Sequence, residues 1–158
     1  MNAPTTKPSD VLDRVRQLLD EGRPDQALET IQRSGQRSRD VENARGVCLL
    51  RLGKCDQAFA LFRDLVFPAG SFSIDPQTPI VFRTNYATAL LLTGNVMVGQ
   101  SILAQIEDKQ HPAVVKLRSA IKQWKKSLGL FRRLLVPVGI YPDRPVTMDF
   151  PPGDLWQV

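Results

Sequence analysis

The sequence predicts an all-α fold of three helical pairs followed by a longer terminal helix, with no sheet. Three observations carry that prediction. Apolar and small residues recur at three- and four-residue steps from Val11 to Leu135, the spacing of helix faces rather than strands. The pattern breaks only where glycine or proline marks a turn. Residues 43–62, NARGVCLLRLGKCDQAFALF, carry the pattern on both sides of Gly53, which reads as two amphipathic helices joined by a tight turn. Such a pair folds back antiparallel and presents a face that another pair must cover.

Taken in order, residues 1–8 are small and polar and are expected to be a disordered lead-in. Ser9 or Asp10 can cap a first helix reaching Asp20 or Glu21, with Val11, Leu12, Val15, Leu18 and Leu19 as its apolar stripe. Gly22 ends it, and Pro24 suits the first turn of a second helix that turns Ala27, Leu28 and Ile31 inward and stops near Gly35. The second pair starts near Asp40, a plausible cap, and runs to about Val66. Residues 67–77, FPAGSFSIDPQ, have loop chemistry, and Phe67, Phe72 and Ile74 are expected to dock it partly on the helices. Thr78 and Pro79 then read as a cap and a first-turn proline for a third pair, Ile80 to Thr93 and Asn95 to about Asp108.

Gly46, Leu49, Ala58 and Phe62 follow the order L-G-x2-Y…A-x3-F, and on these residues the chain resembles the tetratricopeptide repeat. The first pair matches with its turn glycine and Ala27, with Ile31 replacing the aromatic and Val15 in the small slot. The third matches with Asn85-Tyr86-Ala87, Leu90, Gly94, Gly99 and Leu103. Glu42 and Arg45 depart from the pattern, standing where Trp and Leu are usual. The turn glycines Gly22, Gly53 and Gly94 are 31 and 41 residues apart, against about 34 in the family, and the longer interval matches the inserted loop. The resemblance covers three uneven repeats over residues 9–108. It implies a short right-handed solenoid whose pair-leading helices line a concave groove for a peptide or helix of another protein. By placement, Arg16, Asn43, Val47, Leu50, Arg51, Thr84, Thr88 and Leu91 would read that ligand, and their mixed character predicts a partly apolar one.

From Pro112 the residues Val114, Leu117, Ile121, Trp124, Leu128, Phe131 and Leu135 form an uninterrupted heptad-like seam. It reads as the terminal helix of the stack, closing a repeat domain over residues 9–135; sharing the seam with a partner or second copy is the alternative. Lys116, Arg118, Lys122, Lys125, Lys126, Arg132 and Arg133 make this helix basic with no acid from 113 to 135. Without those seven, 14 basic and 16 acidic residues remain, so the formal charge of +5 belongs to one helix. A basic face of this kind usually only solvates the surface; an acidic protein surface or an anionic membrane is the alternative, and nucleic acid ranks last. Residues 136–158 hold Pro137, Pro142, Pro145, Pro151 and Pro152, which predicts an extended tail. Ile140, Tyr141, Phe150, Leu155 and Trp156 give that tail anchors, so it is expected to pack, either along its own solenoid or on a partner.

Hydrophobic and charged fractions of 42% and 23% are ordinary for a globular chain. No apolar run approaches the roughly 20 residues that span a bilayer, and the first residues lack signal-peptide character, which together predict a cytoplasmic protein. Cys48, Cys55 and His111 could supply at most three zinc ligands at no familiar spacing, so no metal or other cofactor is expected. His111 precedes Pro112 at a helix start and reads as a cap or a loop residue. Neither a nucleophile elbow nor a phosphate loop appears, and the expectation is a non-catalytic interaction scaffold or adaptor. The alternatives are a chaperone similar to those of type III secretion, or an oligomerisation or surface anchor built on the basic helix.

Overall fold

Three glycines that adopt a backbone conformation L-residues avoid set the layout of the helices. Gly22, Gly53 and Gly94 have φ of 70°, 73° and 84°, in the left-handed region. Each stands where a helix closes in the same way. Arg23 N donates to Leu18 O at 2.8 Å, Lys54 N to Leu49 O at 2.9 Å and Asn95 N to Leu90 O at 2.8 Å. These six-to-one bonds satisfy helix-end carbonyls and turn the chain back on itself three times.

The computed structural model describes residues 8–67, 71, 73–75, 77–129, 136–139 and 144–155. Expectations for residues 1–7 and for Phe72, Phe131, Arg132, Arg133, Leu135, Ile140, Tyr141, Pro142 and Trp156 lie outside them. Among the described residues there are seven α-helices: α1 (Pro8–Asp20), α2 (Pro24–Ser34), α3 (Arg39–Arg51), α4 (Cys55–Val66), α5 (Ile80–Leu92), α6 (Val96–Gln105) and α7 (Pro112–Ser127). Among the described residues there is no strand. From α1 to α6 each helix packs on the next in sequence, and the pair-leading helices also pack on one another, α1 on α3, α3 on α5 and α5 on α7.

The core runs through this inner row. A Cβ built on Gly46 would lie 2.4 Å from Phe62 Cζ, so the missing side chain is what lets the α4 aromatic press against α3. Phe62 is completely buried there. The loop after α4 docks as expected at Phe67 and Ile74, which pack against the core. Tyr86 sits between two aromatics, stacked on Phe59 with centroids 5.7 Å apart and edge-on to Phe67 at 5.7 Å.

Several boundaries differ from the sequence reading, each for a local reason. Helix α1 already includes Pro8, one residue inside the expected lead-in. Ser38, not Asp40, caps α3: its Oγ accepts from Val41 N at 3.2 Å, leaving Asp40 in the first turn, where its charge suits the helix dipole. Pro79 takes the cap position of α5 itself, accepting at its carbonyl from Phe82 N and Arg83 N, while Thr78 is buried beside it. Helix α6 ends at Gln105, short of Asp108. Helix α7 ends at Ser127 instead of continuing through Leu135. Ser127 Oγ donates to Trp124 O at 2.7 Å, Leu128 is extended, and Gly129 follows with poor helix propensity. Val136–Val138 forms a 3-10 turn where an extended chain is expected.

Candidate ligand groove

Helices α3 and α5 each carry an asparagine that is buried yet fully engaged. Asn43 and Asn85 are 0% and 1% exposed, and Asn85 Nδ2 donates to Asn43 Oδ1 at 2.8 Å. Burying a carboxamide is unfavourable unless its donors and acceptors are matched. Here the remaining partners come from the backbone of a segment far away in sequence, residues 144–155.

The Asn85 carboxamide pairs with both backbone groups of Asp154. Its Nδ2 donates to Asp154 O at 2.7 Å, and its Oδ1 accepts from Asp154 N at 2.9 Å. Asn43 Nδ2 donates to Leu155 O at 3.0 Å and, at 3.3 Å, to Asp154 O. Arg51, at the end of α3, directs Nε to Pro152 O at 3.5 Å and Nη2 to Gly153 O at 3.4 Å. Its Nη1 donates to Leu19 O at 3.1 Å, so one guanidinium joins α1, α3 and the docked segment. At the other end of the groove Val146 N donates to Leu91 O at 2.9 Å.

Apolar contact completes the site. Gly153 is buried against Val47 and Leu50. Val146 enters the core, and Met148, Phe150 and Leu155 pack against it. Lys116 Nζ of α7 lies 5.4 Å from the centre of the Phe150 ring, a cation–π distance.

The residues expected to read a ligand therefore separate. Asn43, Val47, Leu50 and Arg51 meet the docked segment through side chains, and Leu91 meets it through its carbonyl. Val47, Leu50 and Leu91 are buried rather than open to solvent. Thr84 and Thr88 are also buried, and their hydroxyls donate to Val81 O and Thr84 O of their own helix. Arg16 is exposed on α1. Sequence reasoning missed Asn85 and Gly153. A signal for Asn85 was available: Asn43 stands ten residues before Gly53, and Asn85 nine before Gly94, so the two occupy nearly equivalent places in successive pairs.

The other candidate features lie apart from this groove. On α7, Lys116, Arg118, Lys122 and Lys126 are exposed and Lys125 is half-buried. A cavity of about 770 Å³ between α6, α7 and the 136–138 turn has Leu103, Ile121 and Val136 in its wall with Arg118 and Lys122. Cys48 and Cys55 are free thiols, Cys48 buried in α3 and Cys55 opening α4. Burial pushes the Cys48 thiol up to about 12, with Arg51 acting weakly the other way. Burial also raises Cys55. His111 caps α7, its Nδ1 accepting from Ala113 N at 3.3 Å. No helix among the described residues is long and apolar enough to cross a membrane.

No family model, curated protein or solved structure matches the chain.

Proposed function

We propose that the chain is a non-catalytic protein-interaction module of the tetratricopeptide type, holding an extended segment of a partner protein in the groove across α3 and α5. Support for the repeat reading comes from three glycine turns closed by equivalent bonds and from pair-leading helices that pack in a row. The observation that carries the function is the backbone-directed set Asn43, Asn85 and Arg51, which grips residues 152–155 by their peptide groups. Matching carboxamides to a peptide backbone is a device for holding a chain in extended form, and it leaves side chains to set specificity.

A photo-reactive amino acid at position 51 of the full chain, activated in the native cell, should yield an adduct with another protein. The same group at Glu29, exposed on the outer helix α2, should not. Adducts from position 29 alone would place the interaction surface elsewhere, and labelling of the chain's own residues alone would make the groove purely internal.

A second reading is attachment to an anionic surface through α7, favoured by the exposed Lys116, Arg118, Lys122 and Lys126. Flotation with anionic liposomes at low salt, lost at high salt, is its expected signature. No flotation at either salt would remove it.

A further inference from the structure

The contacts that hold segment 144–155 are of two kinds, and they select differently. Asn43, Asn85 and Arg51 touch carbonyls and one N–H of residues 152–155, groups that nearly any sequence offers. Gly153 is different. Its φ is 82°, a conformation costly for an L-residue with a side chain. A Cβ there would also stand 3.1 Å from both Leu50 Cδ1 and Val47 Cγ2. Val47 and Leu50 are themselves packed in the core, which limits how far they can give way. Backbone strain and lack of space act at the same atom, so the groove filters for glycine at this position.

The flanking residues define the rest of the preference. Pro151 and Pro152 precede the glycine and pre-set an extended approach, lowering the entropy lost on docking. Leu155, two residues after it, packs on the core, and Phe150, three before it, lies against Lys116.

We infer that the groove recognises partner segments of one chemical class: an extended chain with an aromatic and prolines leading into an obligatory glycine, with an apolar residue two positions after it. Segment 144–155 is the chain's own copy of that ligand, tethered in place, and a partner engages by displacing it. This rests on the peptide-binding reading above. A tethered ligand competes at an effective concentration of about the millimolar range, so weakening it uncovers the groove for a free peptide.

The probe is a fluorescent peptide of residues 146–155, VTMDFPPGDL, titrated onto the full chain. Gly153→Ala in the chain should loosen the internal segment and tighten binding of the free peptide at least tenfold over wild type. The same peptide with alanine for glycine should bind that variant at least tenfold more weakly. Asp154→Pro, which removes the N–H that Asn85 accepts, provides a second release variant. Side-chain amide resonances of Asn43 and Asn85 report release directly. Equal binding of the glycine and alanine peptides would overturn the glycine filter while leaving a peptide-binding groove. Amide resonances that report release, with no binding of either peptide, would overturn the peptide-binding reading itself. Resonances unchanged in Gly153→Ala would also refute the filter. Unfolding of both release variants would make the segment a fixed structural part and end the proposal. A wild-type dimer with exchanged segments would assign the groove to a second copy instead of a partner.

Discussion

Helices α3 and α4 are consecutive, nearly equal in length and packed on each other, yet they are covered in opposite ways. Eight of the thirteen residues of α3 are buried, Asn43 among them, against three of the twelve in α4. Helix α4 has neighbours on one side and keeps an apolar stripe of Ala58, Phe62 and Val66 with charge opposite, the usual amphipathic arrangement. Helix α3 is covered by α1, α2, α4 and α5 and also by the segment that docks across Val47, Leu50 and Arg51. The difference lies in what surrounds each helix: α3 is enclosed by helices on several sides and by the docked segment, whereas α4 buries a single stripe and leaves its opposite face exposed.

Substitutions along the two helices should separate these modes of burial. The largest effect is expected at Phe62, which α4 sends into the space left by Gly46. Phe62→Ala should destabilise the fold by about 3–5 kcal/mol in chemical denaturation; a loss below about 1 kcal/mol would mean that the α3–α4 contact contributes little.

Next comes Asn85→Ala, which leaves Asn43 Oδ1 and Asp154 N without their partner. A cost of about 2–3 kcal/mol is expected, because unmatched buried polar groups lose their hydration without replacement. A change near zero would show that water takes over both groups.

A pH series sharpens the contrast within α3. The Cys48 thiol is raised by burial to about 12, whereas the unfolded chain releases this proton near 8.5. Above that value the unfolded state binds fewer protons than the native state, so stability falls with rising pH until the folded thiol also ionises. The decline should approach about 1.4 kcal/mol per pH unit between roughly pH 9 and 12. Subtracting the profile of Cys48→Ala isolates it from other groups that titrate there, and identical profiles would show that Cys48 is not held as a buried thiol.

The smallest effect is expected on the outer face of α4. Arg63→Ala removes an exposed pair with Asp64 at 3.0 Å and should change stability by no more than about 0.5 kcal/mol. A loss above 1 kcal/mol would show that this face is covered after all.

Much of the helical layout was legible in the sequence because it depends on local chemistry. Gly22, Gly53 and Gly94 mark turns since their φ angles exclude most other residues, and Pro24 and Pro112 mark first turns because they lack the N–H a helix start leaves unpaired. The groove was only half legible. Asn43, Val47, Leu50 and Arg51 follow from their place on α3, but what lies against Val47 and Leu50 includes Gly153, about a hundred residues later. No periodicity within α3 encodes that distance. Ser127 illustrates the reverse failure: the apolar seam continues past it in sequence, but its hydroxyl competes for Trp124 O and the helix stops.

The lone guanidinium that links Leu19 O to Pro152 O and Gly153 O has a consequence for the order of events during synthesis. Leu19 and Arg51 itself are both made about a hundred residues or more before Pro152 and Gly153. Between completion of α5 at Leu92 and the arrival of Leu155, 63 residues must be added, which takes about 3–13 s at typical elongation rates of 5–20 residues per second. For that interval Asn43, Val47, Leu50 and Asn85 belong to a chain that does not yet contain the segment lying against them. Residues 144–155 can therefore dock only after the helices that receive them have already been made.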